Sequence, residues 1–185
     1  MKKVLLALSC FFFCLLCSCS QLTQNNSSSQ IVSETEYYQI LKVSSGFQYK
    51  VFDKNRNIIE QGTATRPPQI TVLDNSLLKF SLQTGTGLST QWGFYYNINT
   101  NQKSQKFICV YDEYNNKVAY GLQKKIVIQN IFDTREYQEI SDFVEPLSDI
   151  AEPIIGAEFI DGGKKLVVHY YTKDELETAQ TFSVQ

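Results

Sequence analysis

Apolar and polar positions divide the chain into three regimes. Val4 to Leu16 runs VLLALSCFFFCLL, almost without a polar atom, behind Lys2 and Lys3. Gln21 to Gln30 is Ser/Asn/Gln-rich and nearly free of charge. Such a segment buries too little apolar area to fold, so it reads as a flexible tether. From about Ile31 onward, short apolar runs rich in Tyr, Phe, Val and Ile alternate with Asn/Asp/Gly turns, and long 3.6-residue periods are absent.

These runs predict strands at 47–52, 58–61, 70–73, 77–82, 92–98, 105–111, 117–120, 125–132, 157–160, 165–171 and 178–184. The connections are short, which makes neighbouring strands antiparallel. A weak repeat runs through ITVLDNSLLKFSL, ICVYDEYNNKVAYGL and AEFIDGGKKLVVHY, whose second strands begin at Leu77, Lys117 and Lys164. Propeller blades repeat at about 40–50 residues, each a four-stranded meander. Two such units can be drawn, 69–107 and 107–140, whereas the N-terminal part fits the scheme poorly. The expected fold is therefore all-β: an antiparallel meander, propeller-like and small or incomplete, or alternatively a two-sheet β-sandwich. The stretch 141–153 breaks the pattern. Phe143, Leu147 and Ile150 have helical spacing, Ser148 is placed to cap, and Pro146 and Pro153 limit the length, so one short helical turn is expected there.

The N-terminal run is too short for a membrane span, which needs roughly 20 apolar residues, and has the length of a signal-peptide core. It leads into Leu16-Cys17-Ser18-Cys19. These residues resemble the bacterial lipobox, an apolar residue and two small ones before a Cys. Cys10 has too little apolar chain before it for that role, and Cys17 follows two bulky leucines. The resemblance covers residues 1–19 only. It implies a lipoprotein precursor: 1–18 a removable signal peptide, Cys19 the lipidated first residue, 19–30 the tether and 31–185 a single domain. Membrane lipid, held through acylated Cys19, is then the first partner. The expected location is the cell membrane or outer membrane, on the extracytoplasmic side.

Charge changes the picture little. Once Lys2 and Lys3 leave with the signal, 15 of the 17 basic residues remain against 19 acidic ones, well mixed along the chain. This offers no basic stripe for nucleic acid. The five cysteines reduce to one, because Cys10, Cys14 and Cys17 belong to the signal and Cys19 to the anchor. Cys109 alone cannot form an intramolecular disulfide, and its apolar neighbours Phe107, Ile108 and Val110 predict a buried strand position.

Candidate chemistry is sparse. His169 is the single histidine, inside a strand and without a second ligand at zinc spacing. No catalytic residue, metal or cofactor is expected. Glu139, Asp142, Glu145, Asp149 and Glu152 recur every three or four residues, which reads as a solvated face rather than a cation loop. Gly85-Thr86-Gly87 and Gly162-Gly163 read as turns without a phosphate-binding pattern. In Trp92-Gly93-Phe94-Tyr95-Tyr96, alternation puts Trp92, Phe94 and Tyr96 on one face. That face is either core or a candidate binding surface that stacks on a sugar or a partner side chain. The functional expectation is a non-enzymatic binding or structural module of the envelope with a protein or glycan partner. The alternative is an envelope hydrolase of glycan or peptidoglycan, using loop carboxylates such as Asp112, Glu113 or Asp133.

Overall fold

The computed structural model describes residues 29–73, 76–86 and 90–185. The signal segment, Cys19 and most of the tether lie outside the described residues, as does Gly87. Those described are all-β, in sixteen strands forming four antiparallel sheets. The first sheet holds β1 (Gln30–Glu34), β2 (Tyr38–Val43), β3 (Gly46–Phe52) and β4 (Ile58–Ala64). The second holds β5 (Gln69–Val72), β6 (Leu77–Gln83) and β7 (Gln91–Asn97), with a broken fourth strand made of β8 (Gln102–Lys103) and β9 (Phe107–Ile108). The third holds β10 (Val110–Tyr114), β11 (Lys117–Leu122), β12 (Lys125–Asn130) and β13 (Tyr137–Ile140). The fourth holds only β14 (Ile154–Ile160), β15 (Lys165–Tyr171) and β16 (Glu177–Ser183). In every sheet the strand order is the chain order, and none closes into a barrel.

Each sheet is thus a meander, four positions wide in the first three and three strands wide in the fourth, and the two units read from the sequence, 69–107 and 107–140, match the second and third sheets. The N-terminal part, which fitted poorly, also makes a full four-stranded sheet. Its alternation is diluted by Gln39, Gln48, Gln61 and Lys50.

The sheets pack face to face in sequence. Ile40, Tyr49 and Val51 of the first meet Leu78, Phe80, Leu82, Phe94 and Tyr96 of the second. The other face of the second sheet, through Leu77, Tyr95 and Phe107, meets Val118 of β11 and Ile131 just past β12. The opposite face of the third sheet, through Ala119, Ile126, Ile128 and Ile140, meets Ala157, Leu166, Val168 and Tyr170. Fully burying one such side chain contributes about 1.5–3 kcal/mol.

Between the second and third sheets the chain passes through one residue. The Cys109 amide donates to the Gln91 carbonyl at 2.9 Å, while its own carbonyl accepts from Gly121 at 2.8 Å. Cys109 therefore belongs to both sheets at once, and the turn requires a φ of 56°. The single strand expected over 105–111 is split here. Cys109 is buried as expected, but it is a left-handed corner residue rather than a strand residue. Gly121 makes room for it, since a Cβ there would lie 3.0 Å from the Cys109 sulfur.

The helical turn expected in 141–153 does not form. The segment is an irregular connection pinned by a Leu147–Thr172 bridge and by the Ser148 amide donating to Tyr171. Phe143 is held on Tyr170 and Phe182 at ring distances of 4.7 and 5.6 Å. Tertiary contacts thus use Phe143 and Leu147 separately, while Ile150 stays exposed, and no helix is needed to present them.

The left-handed corner generates a stability prediction. Cys109→Ala keeps a small side chain there, whereas Cys109→Val forces a β-branched one into that conformation. Cys109→Val is expected to cost about 1–3 kcal/mol more than Cys109→Ala in chemical denaturation. Equal costs would mean that the corner carries no backbone constraint.

Candidate interaction surface

The aromatic strand β7 lies in the middle of the second sheet, paired to β6 with Phe80 opposite Phe94 and Leu82 opposite Trp92. Phe94 and Tyr96 have no exposed surface. They face the first sheet, with Phe94 stacked on Phe80 at 4.9 Å and the Tyr96 hydroxyl donating to Asn101 at 2.6 Å. Of the three residues read as core or binding face, these two are core and leave nothing for a ligand to stack on. Trp92, at the end of the row, is half-buried. Its ring carries the Lys106 ammonium at 4.3 Å and rests on Phe80 at 5.7 Å. The cavity beside it, lined by Phe80, Gly93 and Val110, is about 10 Å³, the room of a single water.

Lys106 is held in turn by Glu60, 3.2 Å away across the junction between the first two sheets. Lys103 reaches the same carboxylate and lies 4.7 Å over the Phe94 ring. Burial works to raise the Glu60 pKa, but hydrogen bonds and charge from the two lysines outweigh it and hold the group below its ordinary value. Sequence reading could not find this cluster, because Glu60 and Lys103 lie 43 residues apart.

The carboxylates named for a hydrolase are all engaged. Glu113 receives Lys79 at 2.6 Å and the Tyr95 hydroxyl at 3.2 Å, on the side of the second sheet. Burial first, then the charge of Glu113, pushes the Tyr95 pKa up. Asp112 accepts the Phe159 amide at 2.7 Å, on the side of the fourth sheet. Adjacent strand residues point to opposite faces, so Asp112 and Glu113 cannot converge on one bond. Asp133 is clamped by Arg135 at 2.7 Å and held at about 2, the side-chain hydrogen bond from that guanidinium being the main cause. A group that acidic stays ionised near neutrality and cannot donate a proton there.

The acids 139–152 do not assemble either. Glu139 pairs with Lys125 and Asp149 with Lys124, and both acids are exposed or nearly so. Among the described residues, no three His, Cys, Asp or Glu side chains gather to hold a metal. His169 stands on the β15 face turned away from the third sheet. Burial, the largest effect, pushes the Cys109 thiol up, which disfavours the reactive thiolate.

A wider depression of about 490 Å³ opens at the junction of the second and third sheets, lined by Leu73, Leu77, Glu113, Tyr114 and Asn115. Its mouth is shaped by the β10–β11 hairpin, where Asn115 and Asn116 both take positive φ, the pattern of a type I′ turn. The Tyr114 ring leans over Gly163, where any Cβ would collide with it. This polar, open hollow is the roomiest of the cavities described.

No family model matches the chain, and no curated protein matches it. Among solved structures, Kluyveromyces lactis Hsv2 with its complete loop 6CD is similar at a TM-score of 0.38 and 9% identity. That likeness covers 83% of this chain and 50% of that one. A second Kluyveromyces lactis Hsv2 structure gives 0.37 and 9%, over 83% and 51%. The chain spans about half the length of these structures, and likenesses this loose carry nothing about function.

Lys106 is expected to shield Trp92, the single tryptophan. Lys106→Ala should raise acrylamide quenching of its fluorescence and cost about 0.5–1 kcal/mol of stability. Unchanged quenching would mean that the ammonium does not cover the ring in solution.

Proposed function

We propose that this protein is a lipid-anchored envelope lipoprotein whose all-β domain serves as a non-enzymatic binding or structural module. The observation that carries the reading is the order of elements before the domain: two lysines, the run Val4–Leu16 with Ser9 its one polar residue, Cys17-Ser18-Cys19 directly after Leu16, then a polar tether. Each buried CH₂ of an acyl chain contributes about 0.8 kcal/mol, so two or three chains on Cys19 hold the protein at a membrane without help from the domain. Among the described residues, no helix is long and apolar enough to cross a membrane.

The engagement of the carboxylates supports a binding role over the hydrolase alternative. Glycoside hydrolysis needs two acids about 5–10 Å apart across a cleft, one of them able to donate a proton. Asp112 and Glu113 act as ties between sheets instead, on opposite faces of β10. A protein or glycan partner is proposed for the surface, and the hollow beside Tyr114 and Asn115 has the size of a ligand site.

Cys19→Ala is expected to abolish metabolic labelling with palmitate and to move the protein from the detergent phase to the aqueous phase. A variant that still labels and still partitions into detergent would sink the anchoring reading.

A further inference from the structure

Among the described residues, sheets one to three each fill four strand positions while the fourth fills three, with β16 at its edge. The alternation of its ladder fixes which groups are open. Val184 donates to Lys164 and Thr172 to Leu176, so the even-numbered residues 178, 180 and 182 bond inward to β15. The N–H and C=O groups of Glu177, Ala179, Thr181 and Ser183 therefore point outward. The Ser183 carbonyl takes the Gln138 side chain at 2.8 Å, while Ala179 and Thr181 form the open centre.

The other edges are guarded in the ways edge strands usually are. β1, β10 and β14 carry bulges. β5 follows Pro67 and Pro68 and is four residues long. The β4 edge carries Glu60 with its two lysines, and β13 is four residues long with the Glu139–Lys125 pair. β16 is seven residues long and regular, and it has no charge after Glu177.

The apolar surface points to the same place. The three most exposed large hydrophobic residues among those described are Val144 at 77%, Tyr137 at 66% and Leu176 at 65%. The Val144 amide donates to the Gln180 side chain of β16, Leu176 immediately precedes β16, and Tyr137 adjoins the Gln138 that holds Ser183. Val144 and Leu176 thus lie beside the open edge, whereas Tyr137 stands on the opposite face of β13 from Gln138 and takes no part in it.

We propose that a second copy of this chain occupies that edge, β16 against β16 in antiparallel register about a two-fold axis at Gln180. Full overlap of residues 177–183 permits only this centre. It sets Glu177 opposite Ser183 of the second copy and Ala179 opposite Thr181, so no like charges meet. Two three-stranded sheets become one of six strands, and the contact is isologous and self-closing. The pairing does not depend on the anchoring reading, because it uses no residue before Glu177.

The test is the protein mass of the full chain in detergent, by sedimentation equilibrium over a wide concentration range, with hydrogen exchange of 177–183. The expected result is the mass of two chains, with Ala179 and Thr181 amides that lose protection on dilution. Thr181→Pro removes one outward N–H without touching the β15 ladder. It is expected to give a monomer with an unchanged far-UV spectrum. Should that variant unfold, the exchange pattern of the unaltered chain decides alone. A wild-type monomer at every concentration would overturn the proposal. So would a dimer whose edge amides stay unprotected, or one that survives Thr181→Pro in a folded chain.

Discussion

Face-to-face burial between successive sheets is the constraint on which the rest depends. A sheet of three or four short strands that left its apolar face in water would forgo the burial that offsets the entropy of ordering it, so each lends a face to the next. The second and third sheets are covered on both sides and must be apolar on both. This is why β7 is buried through Gly93-Phe94-Tyr95-Tyr96 and β12 through Ile126-Val127-Ile128-Gln129, without the alternation of a half-exposed strand. The first and fourth sheets each lend one face to a neighbour, and there the alternation returns, as in β15.

Charge is placed around this stack rather than gathered into a reactive centre. Glu60 with Lys103 and Lys106 ties the first sheet to the second, Lys79 with Glu113 and Tyr95 ties the second to the third, and Asp112 ties the third to the fourth. Each tie satisfies polar groups at a sheet junction that would otherwise be costly to bury. The Cys109 corner does the same for the backbone by dividing its two hydrogen-bonding groups between neighbouring sheets. On the binding role proposed above, recognition falls to hairpin ends, junction hollows and the β16 edge rather than to a reactive centre.

Much of the fold was legible in the sequence. The Asn/Asp/Gly turns at 99–101, 115–116 and 161–163 all hold residues with positive φ, and they set the antiparallel meander. The spacing of Leu77, Lys117 and Lys164 marked successive sheets. Less legible was the Gln-rich first sheet, where polar positions on the outer face masked the strands. The helical spacing of Phe143, Leu147 and Ile150 misled because contact with Tyr170, Phe182 and Thr172 outweighed local periodicity. In the aromatic strand, alternation identified the face shared by Trp92, Phe94 and Tyr96, but not whether a second sheet would cover it.

The sequence alone determined the strand class, the antiparallel order and the segment that resembles a lipid anchor. These depend on residues near one another in the chain, through turn chemistry, strand period and the spacing before Cys19. Only the tertiary structure decided which sheet faces were buried and which carboxylates became ties. It also decided which edge remained open. Those outcomes depend on contacts between residues some forty positions apart, such as Glu60 with Lys103 or Asp112 with Phe159, and no local pattern encodes them.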